Sequence, residues 1–266
     1  MATAGRWGVA LLAAASVAAA AHRKRSLTFD GALAATAVGA VTFARGGLPA
    51  AAALLVFFVS GSALSSFKRA EKVRRGVLAQ AKGGERDAWQ VLANGGAATL
   101  CLLPLGVRGA PGFLGALAAA AADTWATELG MLARSQPRSI ATLTPVAPGT
   151  SGGVTEQGTL ASAAGALLVG AAWRLAGGNG AHVVSGAIAA GVGGALIDSL
   201  LGATVQAEYW CAACGESAET PSHARCGGVT QLVRGVARVD NDAVNALATS
   251  AGALLGALFI RRGKAT

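Results

Sequence analysis

The chain has 266 residues, 53% hydrophobic and only 13% charged, with a net charge of +9. A soluble domain carries nearer about a quarter charged residues, so this composition excludes an ordinary soluble globular protein. The positive balance in such a chain sets membrane topology and lipid contact. No soluble segment interleaves basic and aromatic residues, which argues against nucleic-acid binding.

The apolar residues fall in blocks of about twenty, the length that crosses a bilayer. Ala and Gly dominate them, and small residues let membrane helices pack closely. Block one is Trp7 to Ala21. Its basic cluster, His22-Arg23-Lys24-Arg25, follows the apolar run, whereas a signal peptide carries its charge before it. Block two runs from Phe29 to Ala44 and ends at Gly46-Gly47; block three is Leu48 to Leu64. A loop at 65–87 follows, with seven basic residues: Lys68, Arg69, Lys72, Arg74, Arg75, Lys82 and Arg86. Such a run sets topology against anionic lipid, and some of its cations can also bind phosphate.

Block four is Trp89 to Leu105, with Gln90 and Asn94 near its start. Block five, Pro111 to Ala133, contains Asp123 and Glu128. Block six is Thr159 to Leu175. Block seven is Ala181 to Val205, with Asp198, and block eight is Ala243 to Ile260. With the loops after blocks one, three, five and seven on one side, that side holds fifteen Lys and Arg and the other seven. The positive-inside rule puts loops 65–87, 134–157 and 206–239 in the cytoplasm. The sequence predicts an all-α fold: a polytopic membrane bundle of about seven to eight transmembrane helices, forming one integral membrane domain over 1–266. Such a chain is expected to be a multi-pass integral membrane protein.

Five groups of residues can carry chemistry. Asp123, Thr124, Thr127 and Glu128 share one arc about 140° wide on an otherwise apolar helix. Ionisable groups inside a membrane segment are costly unless paired or functional. Asp198 lies on a row with Ala187, Gly191, Gly194 and Gly202, so a second helix can approach it closely. Two carboxylate helices at similar depth suit Mg²⁺, which takes oxygen ligands and substrate phosphates; a structural hydrogen-bond cluster is the alternative. The segment Pro148 to Gly153 (PGTSGG), with Thr155 and Gly158 beyond it, is a flexible Gly-rich loop whose backbone N–H groups can approach phosphate. It is neither a Walker A loop nor a dinucleotide fingerprint. Asp240, Asn241, Asp242 and Asn245 open block eight. Acidic residues there complement the helix dipole, and they can also join a site. Cys211, Cys214, His223 and Cys226 have the ligand types and short spacing of a tetrahedral structural zinc, or they are unligated or redox-active thiols. Cys101 lies inside block four as a small core residue. No Ser-His-Asp arrangement is visible, and His22 and His182 stand isolated.

Taken together, Arg86 to Gly96 (RDAWQVLANGG), Ala122 to Gly130 (ADTWATELG), Pro148 to Thr159 (PGTSGGVTEQGT), Asp198 to Gln206 (DSLLGATVQ) and Asn241 to Asn245 (NDAVN) resemble an integral-membrane family. That family includes eukaryotic transmembrane protein 19 and the plastid phytyl-phosphate kinase. More distantly, the chain is similar to CTP-dependent phytol and dolichol kinases and to CDP-diacylglycerol synthases. The resemblance implies a phosphotransferase that passes a phosphoryl group from CTP, or another nucleoside triphosphate, to an isoprenyl monophosphate, giving the diphosphate for isoprenoid salvage. It implies Mg²⁺ on Asp123 and Asp198, with Asp242 a further ligand and Glu128 orienting the metal or its water. Gly149, Thr150, Ser151, Gly152, Gly153 and Thr155 would hold the nucleotide, with Asn241 and Asn245 at its edge. Lys68, Arg86 and Arg138 would meet phosphate, and Asn94 would assist. A membrane cytidylyltransferase making a CDP-lipid and a lipid or ion transporter are the alternatives.

Overall fold

A computed structural model describes residues 3–74, 84–180, 182–223 and 226–260. Arg75, Lys82, Arg225, Arg261, Arg262 and Lys264 of the charge count, and Ala181 at the start of block seven, lie outside the described residues. The long helices are α1 (Thr3–Arg23), α2 (Phe29–Ser66), α4 (Ala88–Leu105), α5 (Ala110–Gly130), α6 (Glu156–Leu175), α7 (Val183–Thr204) and α8 (Asn241–Phe259), with a short α3 (Arg69–Arg74) between. Among the described residues, five helical stretches are long and apolar enough to cross a membrane: Phe29–Ser66, Ala88–Gly130, Glu156–Leu175, Val183–Thr204 and Asn241–Phe259.

Two of those stretches double back. In α2 the backbone leaves the helical region at Gly47 (φ 71°, ψ −164°), two residues before Pro49. A positive φ combined with ψ near 180° is essentially confined to glycine, and proline cannot donate to the preceding turn. Gly31 abuts the Arg86 carbonyl while Gly61 abuts the Arg86 guanidinium. A straight helix would hold those glycines about 45 Å apart, so α2 is a hairpin of two arms, in keeping with the break read at Gly46-Gly47. Likewise α4 ends in a 3₁₀ turn at Gly106–Gly109, which folds α5 back so that Gly109 meets the Cys101 carbonyl and Gly112 its sulfur.

Helix α5 is the axis of the bundle. Its residues Ala110 to Ala122 are buried without interruption, and it touches α2, α4, α6, α7 and α8. Small residues make this possible. Gly115 faces Gly252 and Gly256 of α8, Gly191 and Gly194 of α7 face Ala118 and Ala119, and Gly165 of α6 faces Ala121 and Trp125. Backbones in close approach hold membrane helices together by dispersion, where hydrophobic exclusion from water is absent. Phe113, Leu114, Leu117, Val169 and Trp173 fill the remaining core.

The structure departs from all-α in two loops. Between α5 and α6, β1 (Arg138–Ser139) pairs antiparallel with β2 (Gly153–Val154), Arg138 opposite Val154. Between α7 and α8, β3 (Glu208–Cys211) lies between β4 (Glu216–Ala218) and β5 (Gln231–Arg234) in an antiparallel sheet. The described parts of the loops after blocks one, three, five and seven gather at one end. Arg86 bridges to Leu27, Ser65 bonds Glu128, Gly130 packs near Thr155, and Gly152 packs on Ala203. Arg6, Arg45 and Gly106 lie together at the opposite end.

Candidate functional site

A cavity of about 360 Å³ opens at the end where the loops gather. Helix α5 supplies Asp123, Thr124, Thr127 and Glu128 to its wall, and α7 supplies Asp198, Ser199, Gly202 and, just beyond, Gln206. The whole polar arc of block five therefore faces one space. Asp198 reaches it because Gly191 and Gly194 bring α7 against Ala118 and Ala119. The carboxyls of Asp123 and Asp198 face each other across this lining, close enough to interact directly. Carboxylates this close need a cation or a proton between them. Asp198 Oδ2 is buried and has no hydrogen-bond partner among the described residues.

Two asparagines complete this oxygen-rich floor. Asn94 Nδ2 donates to the Gln90 carbonyl at 2.9 Å, and Asn245 Nδ2 to the Asn241 carbonyl at 2.9 Å. Each amide thus spends an N–H on its own helix one turn back, and both asparagines line the cavity with Asn241.

Glycine and hydroxyl groups form the opposite wall, where Pro148 to Thr155 all line the cavity. This segment is not a loose loop. The β1–β2 ladder, Ile140 N–H donating to Gly152 O (3.0 Å), and Val146 N–H to Pro137 O (2.9 Å) fold it back on itself. Gly149 and Gly152 have φ of 86° and 78°. At Gly152 a Cβ would run into the Ala203 backbone, so the glycine sets both the turn and its contact with α7. Thr155 caps α6, its hydroxyl accepting from Gly158 N–H at 3.0 Å. Asp87 and Asp240 likewise cap α4 and α8.

Among the described residues, Arg86 is the cation of the lining. It donates to Ser62 Oγ at 3.1 Å and lies 5.7 Å from the Phe58 ring centre. Burial pulls the guanidinium below its ordinary pKa and Glu128 opposes that pull. Lys72 stands behind the wall, fully buried, donating to Glu128 Oε2 at 2.5 Å and to the Leu64 carbonyl at 2.8 Å. Ser65 Oγ donates to Glu128 Oε1 at 2.5 Å. Both Glu128 oxygens are thereby engaged by protein donors.

Other sequence candidates stand outside the lining. Lys68 pairs with Glu71 at 3.6 Å on the surface, and Arg138 donates to the Leu143 carbonyl at 2.9 Å. Asp242 is in the first turn of α8 but is not among the lining residues. Conversely, sequence reasoning passed over Ser65, Ser162, Ser199 and Glu219, which do line it. Lys72 appeared only as one of seven cations.

The Cys211, Cys214, His223 and Cys226 ligand atoms lie within 4.8 Å of one another. Cys211 and Cys226 sulfurs are 3.6 Å apart, and His223 Nδ1 is 3.3 Å from Cys226 Sγ. The sulfurs are too far apart for a disulfide at about 2.05 Å and close to the edge of a tetrahedron with Zn–S bonds of about 2.3 Å. The Gly228 N–H and then the His223 ring hold the Cys226 thiol down at about 6, whereas Cys214, hydrogen-bonded to Cys226, is pushed up to about 11. Glu216 lies 3.9 Å from the other His223 nitrogen, the place of an outer partner that orients a metal-bound imidazole. The cluster could hold a metal such as zinc.

Residues 12–253 match the family described as integral membrane protein DUF92. The chain belongs to this family. It is an integral membrane protein with five candidate transmembrane stretches. It is similar to Protein PGR of Arabidopsis thaliana, 32% identical over 89% of this chain and 90% of that one. An uncharacterized membrane protein of Methanocaldococcus jannaschii is 44% identical over 35% of this chain and 38% of its own. One from Synechocystis is 31% identical over 59% of this chain and 62% of its own. No solved structure matches the chain.

Proposed function

We propose that this DUF92 protein is a CTP-dependent isoprenyl monophosphate kinase, of the phytyl-phosphate type that its motifs resemble. It would work at the cytoplasmic face of a bundle of seven membrane-crossing segments, counting the α2 arms and α4 and α5 separately, or eight with α1. The observation that carries this is the meeting of Asp123 and Asp198 in a cavity walled by the Gly149 to Gly153 turn.

The cavity lining holds Asp123, Glu128, Asp198 and Glu219 against Arg86. Such a wall repels a triphosphate unless cations intervene. The carboxyl contact, the unpartnered Asp198 oxygen and the asparagines are hard oxygen donors, which fit Mg²⁺. Asp123 and Asp198 would hold the ion, and bound Mg²⁺ supplies charge neutralisation for the phosphates. The glycine turn offers backbone N–H groups to the nucleotide, while Thr150 and Ser151 add hydroxyls. Arg86 receives the acceptor phosphate.

The reaction joins an oxygen of the isoprenyl phosphate to the γ-phosphorus of CTP and breaks the bond from that phosphorus to the β-phosphate oxygen. CDP leaves, and the lipid becomes a diphosphate. The acceptor is already an anion, so positioning and neutralisation suffice without a catalytic histidine. Glu128, held by Lys72 and Ser65, keeps the Arg86 side of the wall in place.

The test is product analysis with labelled CTP and ATP on lipid-reconstituted protein, across several prenyl phosphates. Prenyl diphosphate and CDP are the expected products. A CDP-lipid with pyrophosphate would make the protein a cytidylyltransferase instead, and nucleotide-independent flux across liposomes would make it a transporter. No turnover by folded protein overturns the proposal.

A further inference from the structure

A second cavity, about 290 Å³, lies between α1, both arms of α2 and α4. Its walls are apolar: Ala and Val of α1, Val38 and Phe43 of the first α2 arm, Leu54 and Phe57 of the second. Its polar lining residues are Arg86, Gln90, Asn94 and Thr124, and Arg86, Asn94 and Thr124 also line the polar cavity. Arg86 marks the junction, its guanidinium beside Phe58 in the groove and bonded to Ser62. From Phe58 to Leu48 the groove follows ten residues of helix, about 15 Å deep.

We infer that this groove holds the hydrocarbon chain of a single-tailed lipid phosphate whose head sits at Arg86 in the polar cavity. The inference deepens the kinase proposal and rests on it for the identity of the head group. A slot with apolar walls and one charged end is matched to an amphiphile. Its volume falls just below the usual range of small-molecule pockets, room for one chain rather than two. Continuity through Arg86, Asn94 and Thr124 argues against filling by bulk lipid, whose head would have no reason to enter the polar cavity.

The experiment uses full-length protein in lipid nanodiscs and a geranylgeranyl monophosphate bearing a photoreactive diazirine at the tail end. Label is expected on groove residues such as Val38, Leu54 and Phe57. Competition is expected from geranylgeranyl monophosphate, but at least tenfold weaker from geranylgeraniol, which lacks the phosphate, or from dioleoyl phosphatidic acid, which has two tails. Ala14→Phe and Ala51→Phe, which fill the groove beyond its Arg86 end, should raise KM for the C20 phosphate at least tenfold while leaving that for dimethylallyl monophosphate within twofold. Label elsewhere, equal competition by phosphatidic acid, or equal competition by the alcohol overturns the inference. The labelling needs no turnover: groove labelling with no phosphoryl transfer sinks the kinase and spares the groove, whereas transfer with label outside the groove does the reverse.

Discussion

Lys72, with no exposed side-chain surface, places its ammonium 2.5 Å from Glu128 Oε2. Burying both charges is tolerable only because Leu64 O and Ser65 Oγ complete their hydrogen bonds. Losing one partner of such a pair costs about 3–5 kcal/mol, because it strands the other charge. Lys72→Met should therefore lower thermal stability in detergent sharply. Lys72→Met with Glu128→Gln should recover more than half of the loss, as unfolding measured across the double-mutant cycle will read. Equal stability of wild type and Lys72→Met would show that the pair contributes nothing to the fold.

That pair also marks where sequence reasoning stopped. Asp123 and Glu128 were legible because a charge on an apolar helix announces itself, and helical periodicity puts them on one arc. Asp198 was legible through its row of glycines, since small residues mean close helices. The break at Gly46-Gly47 could be read from the paired glycines. Lys72 could not be singled out, because nothing in a run of cations says which one folds inward. Lys68 and Arg138 looked equally able to meet phosphate, yet side-chain direction is decided by α3 and β1, elements too short to leave a periodic pattern. The β1–β2 pairing is two residues long and depends on Gly152 fitting against Ala203, a contact 51 residues away along the chain.

The Asp123 and Asp198 pair makes the sharpest functional demand. Asparagine keeps the shape of each side chain and removes the charge. Asp123→Asn and Asp198→Asn should each lower kcat of the proposed transfer by about a hundredfold or more, the scale of losing one preorganised electrostatic group. The transfer should also depend on Mg²⁺. Unfolding temperature should fall little, since the helix packing through Ala118, Ala119, Gly191 and Gly194 is untouched. Wild-type rates in both variants would remove the carboxylates from the mechanism.

Gly152 tests the glycine wall. Alanine there would adopt a left-handed backbone, unfavourable by about 1–2 kcal/mol, and its Cβ would collide with Ala203. The turn must then lift from α7. Gly152→Ala should raise KM for nucleotide about tenfold or more with a smaller change in KM for the lipid phosphate. Gly96→Ala is the control: it sits in α4 with open space around it, and alanine stabilises a helix interior by about 1 kcal/mol over glycine. Parallel kinetics and melting curves will separate a local effect at Gly152 from general sensitivity to glycine replacement.

The β3–β5 sheet that carries Cys211 of the Cys-His cluster borders the cavity. Glu219, just after β4, lines the cavity. Arg234 of β5 donates to the Gly202 carbonyl of α7 and to Glu208 of β3, each at 2.9 Å. A sheet of such short strands is marginal by itself, and a four-ligand metal site would fix its connections. Purified protein should carry about one zinc per chain, as expected of a closed tetrahedral site, read by elemental analysis. Cys211→Ser or His223→Ala should lose that metal and leave the remaining thiols of the cluster open to a thiol reagent. Because the ends of the sheet bear on Gly202 and Glu219, metal loss should also weaken nucleotide binding by about tenfold, whereas it should leave the helices folded by circular dichroism. Metal-free protein with unreactive thiols and full nucleotide affinity would mean that the sheet holds itself together through Arg234 and its own hydrogen bonds.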